Sequence, residues 1–206
     1  MYQGIWNDIQ NGVLNKDKIL WGGNSSGALF AMAAALNRHP DDLLALYHKM
    51  SKYARLYGVF GKMSVYHEVV MDDFLPDGGD EYKKLNEIFF VGITKFICKF
   101  ELVSNWTSNR ELKDCLHASM HIPFYMTHVS RFSNIMAIDG GFSKNITNIT
   151  DDTITVCPFS KASIHPAQSL TSSDCFSPAS PSRLNELVKV GEIDYSNYDN
   201  KKRDQR

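Results

Sequence analysis

The sequence predicts an α/β fold in which a mainly parallel central sheet is flanked by helices. Three observations carry that expectation. Short apolar runs of strand length alternate along the chain with longer stretches of helical periodicity. One run, Ile88 to Thr94, is almost unbroken in its apolar character, as a strand covered on both faces requires. A third stretch, Lys18 to Leu36, passes from an apolar run through Gly23-Asn24-Ser25-Ser26-Gly27 into an alanine-rich helical pattern, which reads as strand, turn and helix.

Taken in order, Ile5, Ile9 and Val13 recur at roughly helical spacing, and Gly12 and Asn15 stop that helix. Lys18 to Trp21 makes a short strand, and the helix that starts at Ser26 runs to about Asn37. Pro40, Asp41 and Asp42 suit the first turn of the next helix, whose buried face is Leu43, Leu46, Tyr47 and Met50. Residues 58 to 80 are punctuated by glycine and end in the turn Pro76-Asp77-Gly78-Gly79. Within them Phe60, Tyr66 and Phe74 are expected to pack inside, a lid or interfacial patch being the alternative. Ile88 to Thr94 is followed by the alternating Phe96, Cys98, Phe100 and Leu102, a second strand. Ser108 and Glu111 form a capping box for a helix carrying Leu112, Cys115, Leu116 and Met120, which ends before Pro123. Ile135 to Ile138 is a strand that delivers Asp139-Gly140-Gly141 at its end, and Thr153 to Cys157 a final one. From Ser160 to Ser182 serine and proline dominate, and beyond one short helical pattern at Leu184 to Val190 the chain runs on in polar residues.

Composition narrows the function. A chain of 206 residues, 43% hydrophobic and 22% charged, suits one domain with a proper core. Its formal net charge of −1 argues against broad nucleic-acid binding, which needs a basic excess. Lys201-Lys202-Arg203 reads as a solvated tail. Cys98, Cys115, Cys157 and Cys175 lack C-x-x-C spacing, so free thiols in a reducing, cytoplasmic setting are expected. No charged-then-apolar leader opens the chain and no window reaches about 18 unbroken apolar residues, so membrane contact is expected to be peripheral. The Asn24-Ser25-Ser26 sequon is read as coincidental. His117 and His121 are four apart but lack a third ligand, and neither a metal site nor a cofactor is expected.

The chemistry starts at Ser25. In a G-x-S-x-G elbow the serine sits exposed on a strained turn, the flanking Gly23 and Gly27 avoid clashes across the bend, and the following helix points its positive end at Ser25. A serine hydroxyl needs a base. Histidine in the order serine, acid, histidine leaves only His165 after Asp139, and His165 sits beside Pro166 on a poor platform. Asp139 is better placed, at a strand end with two glycines that let the backbone turn; Asp77, in the same D-G-G triplet but with no strand before it, reads as a plain turn.

Three stretches together resemble the patatin-like phospholipase domain: Gly23-Asn-Ser-Ser-Gly27 with its small-residue helix, Ala118-Ser-Met-His-Ile-Pro-Phe-Tyr125, and Ile138-Asp-Gly-Gly-Phe-Ser-Lys-Asn145. Thr153-Ile-Thr-Val-Cys-Pro-Phe-Ser160 is similar to the adiponutrin-like branch of that family. The resemblance covers about residues 2 to 160, with a weaker echo around Phe176 to Gly191. It implies a three-layer fold over residues 1–160, a Ser/Pro-rich and polar extension over 161–206, and a catalytic dyad without histidine. In that dyad Ser25 is the nucleophile and Asp139 the proton acceptor, with Gly140 and Gly141 completing the D-G-G motif and the Ser26 backbone N–H facing the oxyanion. The implied reaction is hydrolysis of acylglycerol or phospholipid esters at a peripheral membrane or lipid-droplet surface. Ser26 and Thr147 depart from the family pattern. So does the N-terminal side, where the family has a first strand and a glycine-rich loop that supplies oxyanion donors. Here Gly4 and Gly12 are the glycines ahead of the Gly22-Gly23 pair. The implied alternatives are an incomplete domain or a weakened one that binds lipid or a partner.

Overall fold

The computed structural model describes residues 1–95, 99–126, 131–144, 148–159, 162–167, 170, 174 and 176–203. Helix α1 (Tyr2–Gln10) and a 3-10 turn (Lys16–Lys18) lead into β1 (Trp21–Asn24), and α2 (Ser26–Ala35), α3 (Pro40–Tyr57), α4 (Met63–Phe74) and α5 (Glu81–Leu85) then carry the chain to β2 (Phe89–Lys95). After β3 (Lys99–Val103) come α6 (Asn109–Ser119), β4 (Arg131–Phe132), β5 (Ile135–Asp139) and the long α7 (Pro181–Arg203).

The sheet is mixed and mostly antiparallel, which corrects the expectation of a mainly parallel sheet. β1 pairs with β2 in parallel, but β2 with β3, β2 with β5 and β4 with β5 are antiparallel. The physical reason is in the connections. A parallel strand needs a crossover, and the helices α2 to α5 provide one between β1 and β2. β5 instead returns from β4 through Ser133 and Asn134, whose φ angles of 51° and 63° are those of a two-residue hairpin turn. Apolar strands separated by helices do not reveal which strand is the return arm of a hairpin.

The register places the two strands that matter end to end. β3 pairs with Val91–Lys95 and therefore occupies one edge of β2. β1, against Phe89–Gly92, and β5, against Ile93–Lys95, must share the other edge. β1 runs with β2 and β5 runs against it, so their C-terminal ends meet head on: Asn24 lies opposite Gly92 and Asp139 opposite Ile93.

Other elements shift from their expected bounds. β1 runs through the glycines, over Trp21–Asn24, three residues later than the apolar residues suggest. Residues 58–80 contain the twelve-residue α4, which buries Tyr66 and Phe74, whereas Phe60 is exposed. Thr153–Cys157 forms a single bridge, Val156 to Ile164, and no strand. Phe96 and Cys98 of the expected second strand, Cys175 and Thr147 lie outside the described residues. The polar C-terminal stretch is helical as far as Arg203. Its contacts with α1 and α3 explain why: the Tyr195 ring covers Gly4, its hydroxyl bonds Asp8, and His48 meets Asn185 at 3.2 Å. Among the described residues no helix is long and apolar enough to cross a membrane.

The core gathers α2 (Ala28, Leu29, Met32, Ala33), α4 (Val70, Met71, Phe74), β2 (Phe89, Val91, Ile93) and α6 (Leu112, Cys115, Leu116). His67 is buried among them on α4, and its Nδ1 has no hydrogen-bond partner among the described residues. Burial first, and the nearby His117 second, hold its pKa down from 6.5 to about 4. Between these values the unfolded chain protonates and the folded chain does not. Stability is therefore fully present above pH 6.5 and is lost as pH falls towards 4, by up to about 3 kcal/mol. Urea unfolding at pH 7 and pH 4.5 checks this: His67→Phe is expected to flatten the difference, and a wild-type stability equal at both pH values would count against it.

Candidate active site

Ser25 leaves β1 with φ 54° and ψ −136°, a backbone conformation that glycine adopts freely and other residues do not. Three contacts impose it. A Cβ at Gly23 would lie 2.5 Å from the Gly27 carbonyl oxygen and 2.6 Å from the Ala28 nitrogen, so the turn closes only because Gly23 has none. The Ser25 N–H donates to Ser119 Oγ at 3.0 Å, and that hydroxyl donates to the Gly92 carbonyl at 2.7 Å. The Ser25 carbonyl accepts from the Ala28 N–H at 2.9 Å, which starts α2. Gly27 differs from the sequence expectation: a Cβ there would meet nothing within 4 Å. The elbow requires the first glycine for space, and the second leaves open the exposed face beside Ser25.

Asp139 arrives from β5 and is fixed from several sides. Its N–H donates to the His121 carbonyl at 3.0 Å, its carbonyl accepts from Thr94 Oγ1 at 2.9 Å, and its Oδ1 accepts from the Gly141 N–H at 2.8 Å. Gly140 follows where a Cβ would stand 2.5 Å from the Gly92 carbonyl oxygen. The D-G-G sequence thus combines a carboxylate at a strand end, a residue small enough to pass β2, and an N–H that turns back onto the carboxylate. Burial raises the Asp139 pKa above 3.8, and hydrogen bonding from the Ser25 side chain and the Gly141 N–H opposes that rise. The head-on meeting of β1 and β5 therefore brings Ser25 and Asp139 together across 114 residues of chain.

The other candidates are placed elsewhere. His165 is exposed and its Nδ1 lies 2.9 Å from the Ala162 carbonyl within its own turn. Asp77 is engaged by the buried Lys113, at 3.1 Å, together with Asp72 at 2.6 Å. His117 meets Glu68 at 2.7 Å, and burial, with a smaller contribution from His117, lowers the pKa of His121. No cluster of three or more metal-ligating side chains occurs among the described residues. Ser26 is the first residue of α2, where an N–H has no intrahelical partner.

Residues without an expected role complete the site. Ser119 holds the Ser25 backbone, Gly92 lets the Asn24 and Phe100 side chains approach β2, and Thr94 fixes Asp139. A glycine inside a strand run is a signal of close backbone approach, so Gly92 was legible in principle. A buried serine at a helix end carries no such signal. Phe142, three residues past Asp139, and Phe30, five residues past Ser25 on α2, are both exposed. Two hollows, of about 420 and 670 Å³, lie at the other end of β1, lined by residues such as Lys16, Trp21 and Arg38, away from Ser25. Comparison with family models, with curated proteins and with solved structures finds no match for this chain.

Proposed function

We propose that the chain is a serine-dependent acyl-ester hydrolase whose substrates are lipid esters, acylglycerol or phospholipid. The observation that carries this reading is the strained Ser25 at a strand-helix junction, beside a buried carboxylate, Asp139, delivered by a second strand end. Ser25 Oγ attacks the ester carbonyl as its proton passes to Asp139. The Ser26 N–H faces the negative charge that develops on the carbonyl oxygen. Collapse expels the alcohol, which takes the proton from Asp139, and leaves an acyl-serine. Water, deprotonated by Asp139, then releases the fatty acid and restores Ser25. The lipid character of the substrate is supported by the resemblance of the three motif stretches to patatin-like phospholipases and by the exposed Phe30 and Phe142. The mixed sheet limits that resemblance to the motifs.

A fluorophosphonate probe tests the assignment. It is expected to label the wild type at Ser25 and to leave Ser25→Ala unlabelled; labelling that persists in Ser25→Ala ends it. A second reading is a catalytically silent domain that binds lipid or a partner. It is favoured by the position of the two hollows away from Ser25. Fatty-acid release that is abolished by Asp139→Asn would exclude it.

A further inference from the structure

The second half of α3 and the turn after it carry an exposed surface. Lys49, Lys52 and Leu56 recur at helical spacing on the side of α3 opposite Leu43, Met50 and Ala54, which face the core, and Tyr53 stacks at their edge on the buried Tyr66. Leu56, Tyr57 and Phe60 are each at least 60% exposed. Phe124 is 90% exposed and joins this corner through backbone bonds: its carbonyl accepts from the Gly61 N–H at 3.1 Å, and the Tyr125 carbonyl accepts from the Met63 N–H at 3.4 Å. Phe124 has φ 69°, a left-handed conformation unfavourable for an aromatic residue, so the chain holds an aromatic ring in solvent on strained backbone.

The charged residues of this stretch have one sign. From Leu43 to His67 there are four cations, Lys49, Lys52, Arg55 and Lys62, and no aspartate or glutamate, in a chain whose formal net charge is −1. None of the four is ion-paired with a described carboxylate; Lys62 Nζ donates to the Tyr57 carbonyl. Aromatic and aliphatic side chains flanked by unpaired cations on a projecting helix-turn corner are the complement of an anionic lipid-water interface. The rings enter the headgroup level and the cations meet the surface potential.

We propose that this corner docks the chain on anionic membrane surfaces and so presents the Ser25 site to lipid, a role that rests on the hydrolase reading for its purpose but not for its existence. The corner is near the site. His121, whose carbonyl holds Asp139, precedes Phe124 by three residues, so the two lie at most about 11 Å apart along an extended chain.

Vesicle co-sedimentation of the full chain, with phosphatidylcholine vesicles with and without phosphatidylserine, tests the docking. Wild type and Ser25→Ala are expected to bind the anionic vesicles equally. Lys52→Glu with Arg55→Glu is expected to weaken binding at least about 25-fold, at about fivefold for each charge removed. Phe60→Ser with Phe124→Ser is expected to weaken it on both vesicle types. Fluorophosphonate labelling in solution is expected to be unchanged in both double variants. Vesicle binding that survives both double variants, or wild-type binding that ignores phosphatidylserine, overturns the proposal. So does a dimer in sedimentation velocity that dissociates in Phe60→Ser with Phe124→Ser while no vesicle binding occurs. Loss of labelling in wild type with vesicle binding intact would reject the hydrolase reading and leave the docking surface standing.

Discussion

Asp139→Asn is expected to slow ester hydrolysis by about 100- to 10,000-fold, the usual contribution of a positioned general base, and to leave the chain at least as stable as wild type at pH 7. The stability half of this expectation follows from the direction of the pKa shift. Burial raises the folded carboxyl above 3.8, against the Ser25 and Gly141 hydrogen bonds. Between 3.8 and the folded pKa the folded chain therefore binds more protons than the unfolded one. This group's stability contribution is full below pH 3.8 and is lost as pH rises through the folded pKa. Asparagine has no charge to bury, and its Oδ1 still accepts from the Gly141 N–H. Its advantage over wild type is expected at neutral pH and is expected to vanish in acid. Activity depends on the same titration with the opposite sign, because the carboxylate is the form that accepts the Ser25 proton. Initial rates and urea melts across pH 3 to 8 measure both limbs. A variant that is both inactive and destabilised at pH 7 would make Asp139 a structural residue.

The parts of this site that the sequence disclosed are those whose chemistry is local. Gly23, Ser25 and the start of α2 lie within a few residues, and the clash that Gly23 avoids is with Gly27 and Ala28. Asp139 was legible because a short apolar run ends on it and D-G-G follows. The sheet was not legible, because the direction of β5 depends on a hairpin turn at Ser133-Asn134, where neither residue is glycine. Helix α4 was hidden by the glycines that flank it, and α7 by a polar composition whose few contacts, Tyr195 on Gly4 and Asp8, are 187 to 191 residues distant in sequence. Ser119 was missed for the same reason. Its hydroxyl matters because of Ser25 and Gly92, and both are remote from it in the chain.

Ser25→Gly and Ser25→Ala are both expected to lose probe labelling completely, but to differ in stability. At φ 54° and ψ −136° a side chain costs about 1–3 kcal/mol. Alanine keeps the Cβ and so keeps that cost, whereas glycine removes it. Glycine also gives the unfolded chain more freedom, which returns about 0.5–1 kcal/mol. The net expectation is that Ser25→Gly is more stable than Ser25→Ala by up to about 2.5 kcal/mol, or up to about 10 °C in melting temperature for a chain of this size. Thermal melts of the two purified variants check it, and a Ser25→Gly that melts at or below Ser25→Ala would mean that the elbow is unstrained. The comparison separates a turn from a site. The chain has glycine at Gly23, Gly92 and Gly140, where a Cβ would strike neighbouring atoms. At position 25, where the backbone angles themselves favour glycine, it has serine, and it holds that serine's N–H on a fully buried Ser119. On the proposed hydrolase reading, this arrangement keeps the Ser25 hydroxyl beside Asp139, its base.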